Sequence, residues 1–143
     1  MMKMINHQPA TVHKPFSAYA LATEVTDAAR WLHISGQVGA DNDGTPINGI
    51  EGQLDAIFYK LGEILKEADM DRTNLVKITI FLTRPQDVTV MRQIRDRFMA
   101  GHLCASTLLI VAGLANPAFL RRTDLAIGEN IDLDQFLVAP ARP

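Results

Sequence analysis

Apolar and polar positions recur along the chain with periods that change from two to about three and a half and back. This pattern predicts the element order β-β-α-β-α-β-β. Residues 17–25 form a first extended run. In residues 30–35, Trp31, His33 and Ser35 alternate with Leu32 and Ile34. With Thr26, Asp27 and Ala28 between them, the two runs predict a β-hairpin. Residues 36–49 hold four glycines, a proline and the cluster Asp41-Asn42-Asp43-Gly44, which is the composition of a loop. Over residues 52–69, Leu54, Ile57, Phe58, Leu61, Ile64, Leu65 and Ala68 share one helical face, while Lys60, Glu63 and Glu67 take the other. Residues 76–83 alternate Val76, Ile78, Ile80 and Leu82 with Lys77, Thr79, Phe81 and Thr83, and their β-branched content fits a strand. A second helix over 87–99 carries Met91, Ile94 and Phe98 as its stripe, with Asp87 as N-cap and Gly101 as its stop. A buried strand over 106–112 and a more polar one over 121–127 follow. No element is assigned to the tail at 128–143.

Two one-sided helices imply a sheet with both helices packed on one face, and the other face then needs cover. Apolar residues lie on both sides of the strands at 76–83 and 106–112. Self-association is the simplest cover, so the pattern predicts an oligomer with small-molecule sites in the clefts between subunits.

Composition narrows this picture. The chain of 143 residues is the size of one domain, with a core at about 15–127 and no internal repeat or linker. The formal net charge is -2, and neither Arg92, Arg95 and Arg97 nor Arg121 and Arg122 form a basic run. No nucleic-acid partner is expected. Cys104 is the single cysteine, so no internal disulfide staples the fold. Residues 1–14 are mixed and polar, and no stretch has the roughly 20 apolar residues of a membrane span. The expectation is a soluble cytoplasmic protein with no membrane contact.

The candidate chemistry is sparse. No phosphate-binding glycine loop is present. His7, His13, His33 and His102 are scattered away from metal-ligand spacing, so neither a metal nor a cofactor is implied. His102 and Cys104 could act as base and nucleophile, although a lone cysteine is also an ordinary small hydrophobe. Ser106 has no sequence partner identifiable as its base. Arg122 and Asp124 share one face of a strand, as a surface ion pair or as a cation and a carboxylate lining a cleft.

Several stretches resemble one family. Ile34-Ser35-Gly36-Gln37-Val38-Gly39 is similar to the S-G-Q loop of the YjgF/Rid proteins, also known as endoribonuclease L-PSP. Leu75-Val76-Lys77-Ile78-Thr79-Ile80-Phe81-Leu82 resembles that family's V-K-x-T-V-F-L strand. Gln53, Leu54, Leu61 and Ile64 match its helix, and Arg95-Asp96-Arg97-Phe98 recurs in one branch. Ala105-Ser106-Thr107, continuing through Leu108 to Leu114, occupies the place of its P-A-R-S motif. Phe119-Leu120 precedes the place of its V-E-I-E strand. The resemblance runs from Pro15 to Ile127. It implies an α+β, chorismate-mutase-like fold with a mixed sheet, assembling as a homotrimer with three inter-subunit clefts. It also implies hydrolysis of reactive enamines and imines to keto acids and ammonia. In that chemistry an arginine grips the substrate carboxylate, a glycine-loop backbone group and a tyrosine position the substrate, and a glutamate orients water.

The chain departs from the family at the positions that carry this chemistry. Ser106 stands at the place of the arginine and Cys104 at that of the motif proline. Phe16 replaces the tyrosine and Arg92 an asparagine, while Arg122 and Asp124 fall at the two glutamates. The substrate-binding candidates are therefore Phe16, Gly36, Gln37, Arg92, Ser106, Thr107, Arg122 and Asp124. If the strands at 106 and 122 pair antiparallel, Arg122 enters the cleft beside Ser106 and restores the lost cation, with Ser106 and Thr107 as hydroxyl donors; Arg121 competes if the register slips by one. The expected ligand is a small anionic carboxylate or carbonyl metabolite, with or without deaminase-type hydrolysis. A ligand-binding or interaction protein without turnover is the alternative, and a ribonuclease or translation inhibitor is the third reading.

Overall fold

A computed structural model of the chain describes residues 2–114, together with the backbone of 125–127 and 136–139. The strands are β1 (Lys3–His7), β2 (Ala22–Thr26), β3 (Arg30–His33), β4 (Gln37–Val38), β5 (Lys77–Leu82), β6 (Ala105–Ile110), β7 (Leu125–Ile127) and β8 (Phe136–Ala139). The helices are α1 (Ile50–Glu67) and α2 (Val88–Met99). The α+β class and the order of the predicted elements hold.

A four-stranded mixed sheet runs β4-β7-β5-β6. β5 and β6 pair parallel, Lys77 opposite Ala105 through Leu82 opposite Ile110. β7 pairs antiparallel with both β5 and β4. Because side chains alternate across a strand, Ile78, Ile80 and Leu82 face one side of the sheet. There they join Leu54, Ile57, Leu61 and Leu65 of α1 and Met91, Ile94 and Met99 of α2 in one buried cluster. Phe58 and Phe98 close the helix–helix seam with ring centroids 5.0 Å apart. Each of these side chains contributes about 1.5–3 kcal/mol by leaving water. This cluster holds both helices on one face of the sheet, as the one-sided apolar stripes predict.

The predicted hairpin does not form. β2 pairs with β1, Lys3 opposite Thr26 through His7 opposite Ala22, and β3 pairs with β8. β1 comes from a stretch too polar for its pattern to announce a strand. It is held by its ladder and by Asn6, whose Nδ2 donates to the Leu103 carbonyl at 3.0 Å. β8 lies beyond residue 127, where the pattern assigns no element. The expected strand at 17–25 starts only at Ala22, because residues 16–18 bend and the Tyr19 amide donates to the Ser17 carbonyl at 2.9 Å.

Two further expectations change. Asp87 precedes α2 but makes no capping bond; instead Arg84 forks onto its carboxylate, Nε to Oδ2 and Nη2 to Oδ1, both at 2.8 Å. β6 is not a buried strand. Among the described residues it is the edge strand of its sheet, bridged only at Ala105 by Ala20, with Leu109 38% and Ile110 45% exposed.

Candidate functional site

A cleft of about 260 Å³ lies between the N-terminal segment, α2 and β6. It is lined by Phe16, Ser17, Tyr19, Arg92, Arg95, Ser106 and Leu108. Three of the sequence candidates, Phe16, Arg92 and Ser106, therefore meet in one place. Its volume lies below the roughly 300–1,000 Å³ of drug-sized ligand sites, which suits a small metabolite.

Each wall has a local cause. Arg92 and Arg95 are three apart on α2 and so share one helical face. Ser106 and Leu108 are two apart on β6 and so share one strand face. The third wall, residues 16–19, is tied down from two sides. Gln8 accepts from the Leu21 amide at 3.1 Å and donates to the Tyr19 carbonyl at 3.3 Å. Arg95 Nη2 reaches Ser17 Oγ at 3.4 Å. Phe16 is 77% exposed at the rim, with its ring 4.8 Å from that of His13.

The charge in the cleft is unusual. Arg95 is 4% exposed, and its Nε and Nη2 approach the same oxygen of Asp96 at 2.8 and 2.7 Å. Arg92 has no ion-pair or hydrogen-bond partner among the described residues, and its Nε is fully buried without one. A buried guanidinium N–H without an acceptor is costly. The rest of the guanidinium likewise has no acceptor among the described residues, which leaves it free for an anion in the cleft.

The sequence missed Tyr19 and Arg95 as cleft residues. Tyr19 brings a phenol to the cleft that Phe16 cannot supply; its Oη accepts from the Phe16 amide at 3.4 Å. The available signal for Arg95 was its helical spacing from Arg92, three residues earlier on the same face.

Other candidates lie elsewhere. Thr107 faces the opposite side of β6 and accepts from Lys77 Nζ at 2.6 Å. Gly36 and Gln37 lie at β4, separated from β6 by β7 and β5, which puts them about 14 Å from Ser106 at the usual strand spacing. Arg121, Arg122 and Asp124 lie outside the described residues. Among the described residues the last strand of that sheet, β7 at 125–127, adjoins β4 and β5, and β6 pairs with β5 in parallel.

The thiol candidate fails on geometry and charge. Cys104 is buried in the core, and burial pushes its thiol up to about 12 against the opposing pull of Arg95 and Lys77. His102 Nε2 donates to the Leu75 carbonyl at 2.8 Å.

A larger cleft of about 390 Å³ is lined by Ala40, Asp41, Asn42, Asp43, Ile47, Ala56, Tyr59 and Lys60. It contains no sequence candidate. Asp41 spends one carboxylate oxygen on the amides of Asp43 and Thr45, both at 2.9 Å. Among the described residues no three His, Cys, Asp or Glu side chains cluster as metal ligands, and no helix is long and apolar enough to cross a membrane.

Known proteins add a direct comparison. The family described as Endoribonuclease L-PSP matches residues 10–120. The chain is 30% identical over 116 residues to the 2-iminobutanoate/2-iminopropanoate deaminase of Mus musculus, covering 80% of this chain and 85% of that one. It is 29% identical over 115 residues to the enzyme of the same name from Rattus norvegicus, covering 79% and 84%. Its fold is similar to that of YyfB of Yersinia pestis, a Rid-family protein described as of unknown function, with a TM-score of 0.74 at 21% identity over 96% and 98% of the two chains. With the family profile spanning most of the chain and the fold agreeing, this protein belongs to the YjgF/Rid family, described as endoribonuclease L-PSP.

Proposed function

We propose that the protein is a homotrimer that binds a small carboxylate or carbonyl metabolite in the cleft between the N-terminal segment, α2 and β6, and hydrolyses 2-imino acids there. The observation that carries this reading is the Arg92 side chain, which lines the cleft with Phe16 and Ser106 and has no partner among the described residues. In this reading the cation is supplied from the helix wall rather than from position 106. The deaminase names of the rodent relatives give the reaction class.

The Arg92 guanidinium grips the substrate carboxylate through a charge-assisted contact. The hydroxyls of Tyr19 and Ser106 orient the imine nitrogen and a water. Water adds to the protonated imine carbon, and the carbinolamine collapses to a 2-keto acid and ammonia. Gly36 and Gln37 are too far from Ser106 within one chain, so they join the cleft only where a neighbouring copy completes it. The exposed Leu109 and Ile110 support such a seam.

The test is loss of a 2-imino acid, generated in place by an amino-acid oxidase and followed by trapping of the remaining imine. The wild type accelerates the loss. Arg92→Gln reduces kcat/KM by roughly thirty-fold or more, the factor for a contact of about 2–5 kcal/mol. No acceleration by the wild type rejects catalysis.

A second reading, binding without turnover, is favoured by one observation. Among the described residues no carboxylate lines the cleft to orient water, and Asp96 beside it pairs with Arg95. Carboxylate binding in a calorimeter, without imine loss, selects it.

A further inference from the structure

We propose that the cleft selects small dicarboxylates over monocarboxylates, with Arg92 taking one carboxylate and Arg95 the other. This rests on the reading of the cleft as an anion site and goes beyond it to the class of ligand.

Two guanidinium groups in one small cleft exceed what a single carboxylate can use. A guanidinium offers five N–H donors in a fixed fork. Arg92 spends none on the described residues. Arg95 spends Nε and Nη2 on one oxygen of Asp96 and reaches Ser17 with Nη2, which leaves its Nη1 without a partner among the described residues. Asp96 sits at the outer end of this pair, with its side chain 44% exposed, so water screens its charge. Arg95 itself is almost wholly buried, where a charge interacts with its neighbours far more strongly. The cleft side of Arg95 is therefore still short of an acceptor.

Geometry matches this division. Arg92 and Arg95 lie three residues apart on α2, about 4.5 Å along its axis, and both line the same cleft, so one small diacid can span the two side chains. The Ser17 hydroxyl at 3.4 Å from Nη2 is a long, weak contact that a second carboxylate displaces. Leu108 and Phe16 cover the carbon chain between the two ends.

The experiment is titration of the purified full chain with succinate and with propionate, followed by calorimetry. Succinate is expected to bind roughly tenfold more tightly or better, the factor one additional charge-assisted contact supplies. Arg95→Gln is expected to abolish that preference while propionate still binds, and Arg92→Gln to weaken both ligands. Since Arg95 is buried, a fold-preserving variant is paired with it. Asp96→Asn removes an exposed competitor for Arg95 and is expected to widen the preference for succinate. Equal binding of the two acids by the wild type, or an unchanged preference in Asp96→Asn, overturns the dicarboxylate inference alone. Absence of binding by either acid overturns the anion-site reading beneath it.

Discussion

Lys77 donates to the Thr107 hydroxyl at 2.6 Å across the parallel pair of β5 and β6, on the sheet face away from the helices. Thr107 is the register partner of Thr79, on a face where the Thr79 hydroxyl is itself buried without a partner. Partial burial holds the Lys77 amine below its ordinary value, with Cys104 opposing weakly.

That shift has a sign. The unfolded chain binds the Lys77 proton more tightly than the folded chain does, so folding stability rises with pH as the solution approaches the ordinary lysine value of 10.5. Denaturant midpoints measured upward from about pH 8 are expected to climb more in the wild type than in Lys77→Met. Parallel curves for the two proteins count against the depressed amine.

Cys104 is expected to be chemically silent. With its thiol raised to about 12 by burial, a disulfide reagent at neutral pH reacts only after denaturant is added. Cys104→Ser leaves a hydroxyl unpaired in the core and costs about 1–3 kcal/mol, read from the denaturation midpoint. Rapid labelling of the native protein contradicts this placement.

Gly39 is required by contact rather than by conformation. A Cβ there meets the Gln53 Cβ at 2.3 Å and its Cα at 2.7 Å. Gly39→Ala is expected to cost about 1–3 kcal/mol or more through overpacking. Because Gln53→Ala retains both of those atoms, the double variant is not rescued. Melting temperatures of the four proteins decide it.

Leu109→Glu places a charge on the edge strand β6. Sedimentation is expected to show trimeric wild type and a dissociated variant with unchanged helical circular dichroism. A variant that sediments like the wild type locates the seam elsewhere.

How much of this was legible in the sequence depends on whether a feature is local or borrowed. α1 and β5 carry strong periods because one face of each is buried by the rest of its own domain, and both were found within two residues of their ends. β1 was missed because Met4 and Ile5 gain their strand from pairing with β2, not from a buried face. The cleft was partly legible: Phe16, Arg92 and Ser106 were singled out and meet there. Tyr19 and Arg95 were missed because their roles depend on the bend at residues 16–18 and on how α2 is rotated. The expectation for Arg122 depended on which strands are neighbours, and β5 inserts itself between β6 and β7.

A cation on a strand is fixed by the backbone ladder beneath it, whereas one on a helix inherits the helix's orientation. Arg92 and Arg95 ride on α2, whose rotation is set by Met91, Ile94 and Met99 pressing into the core. A methylene added or lost at those three positions turns the guanidinium groups by swinging the whole helix, even though none of the three lines the cleft. Tuning of the binding site is thereby tied to packing in the hydrophobic interior, and ligand preference can drift through conservative changes among aliphatic residues.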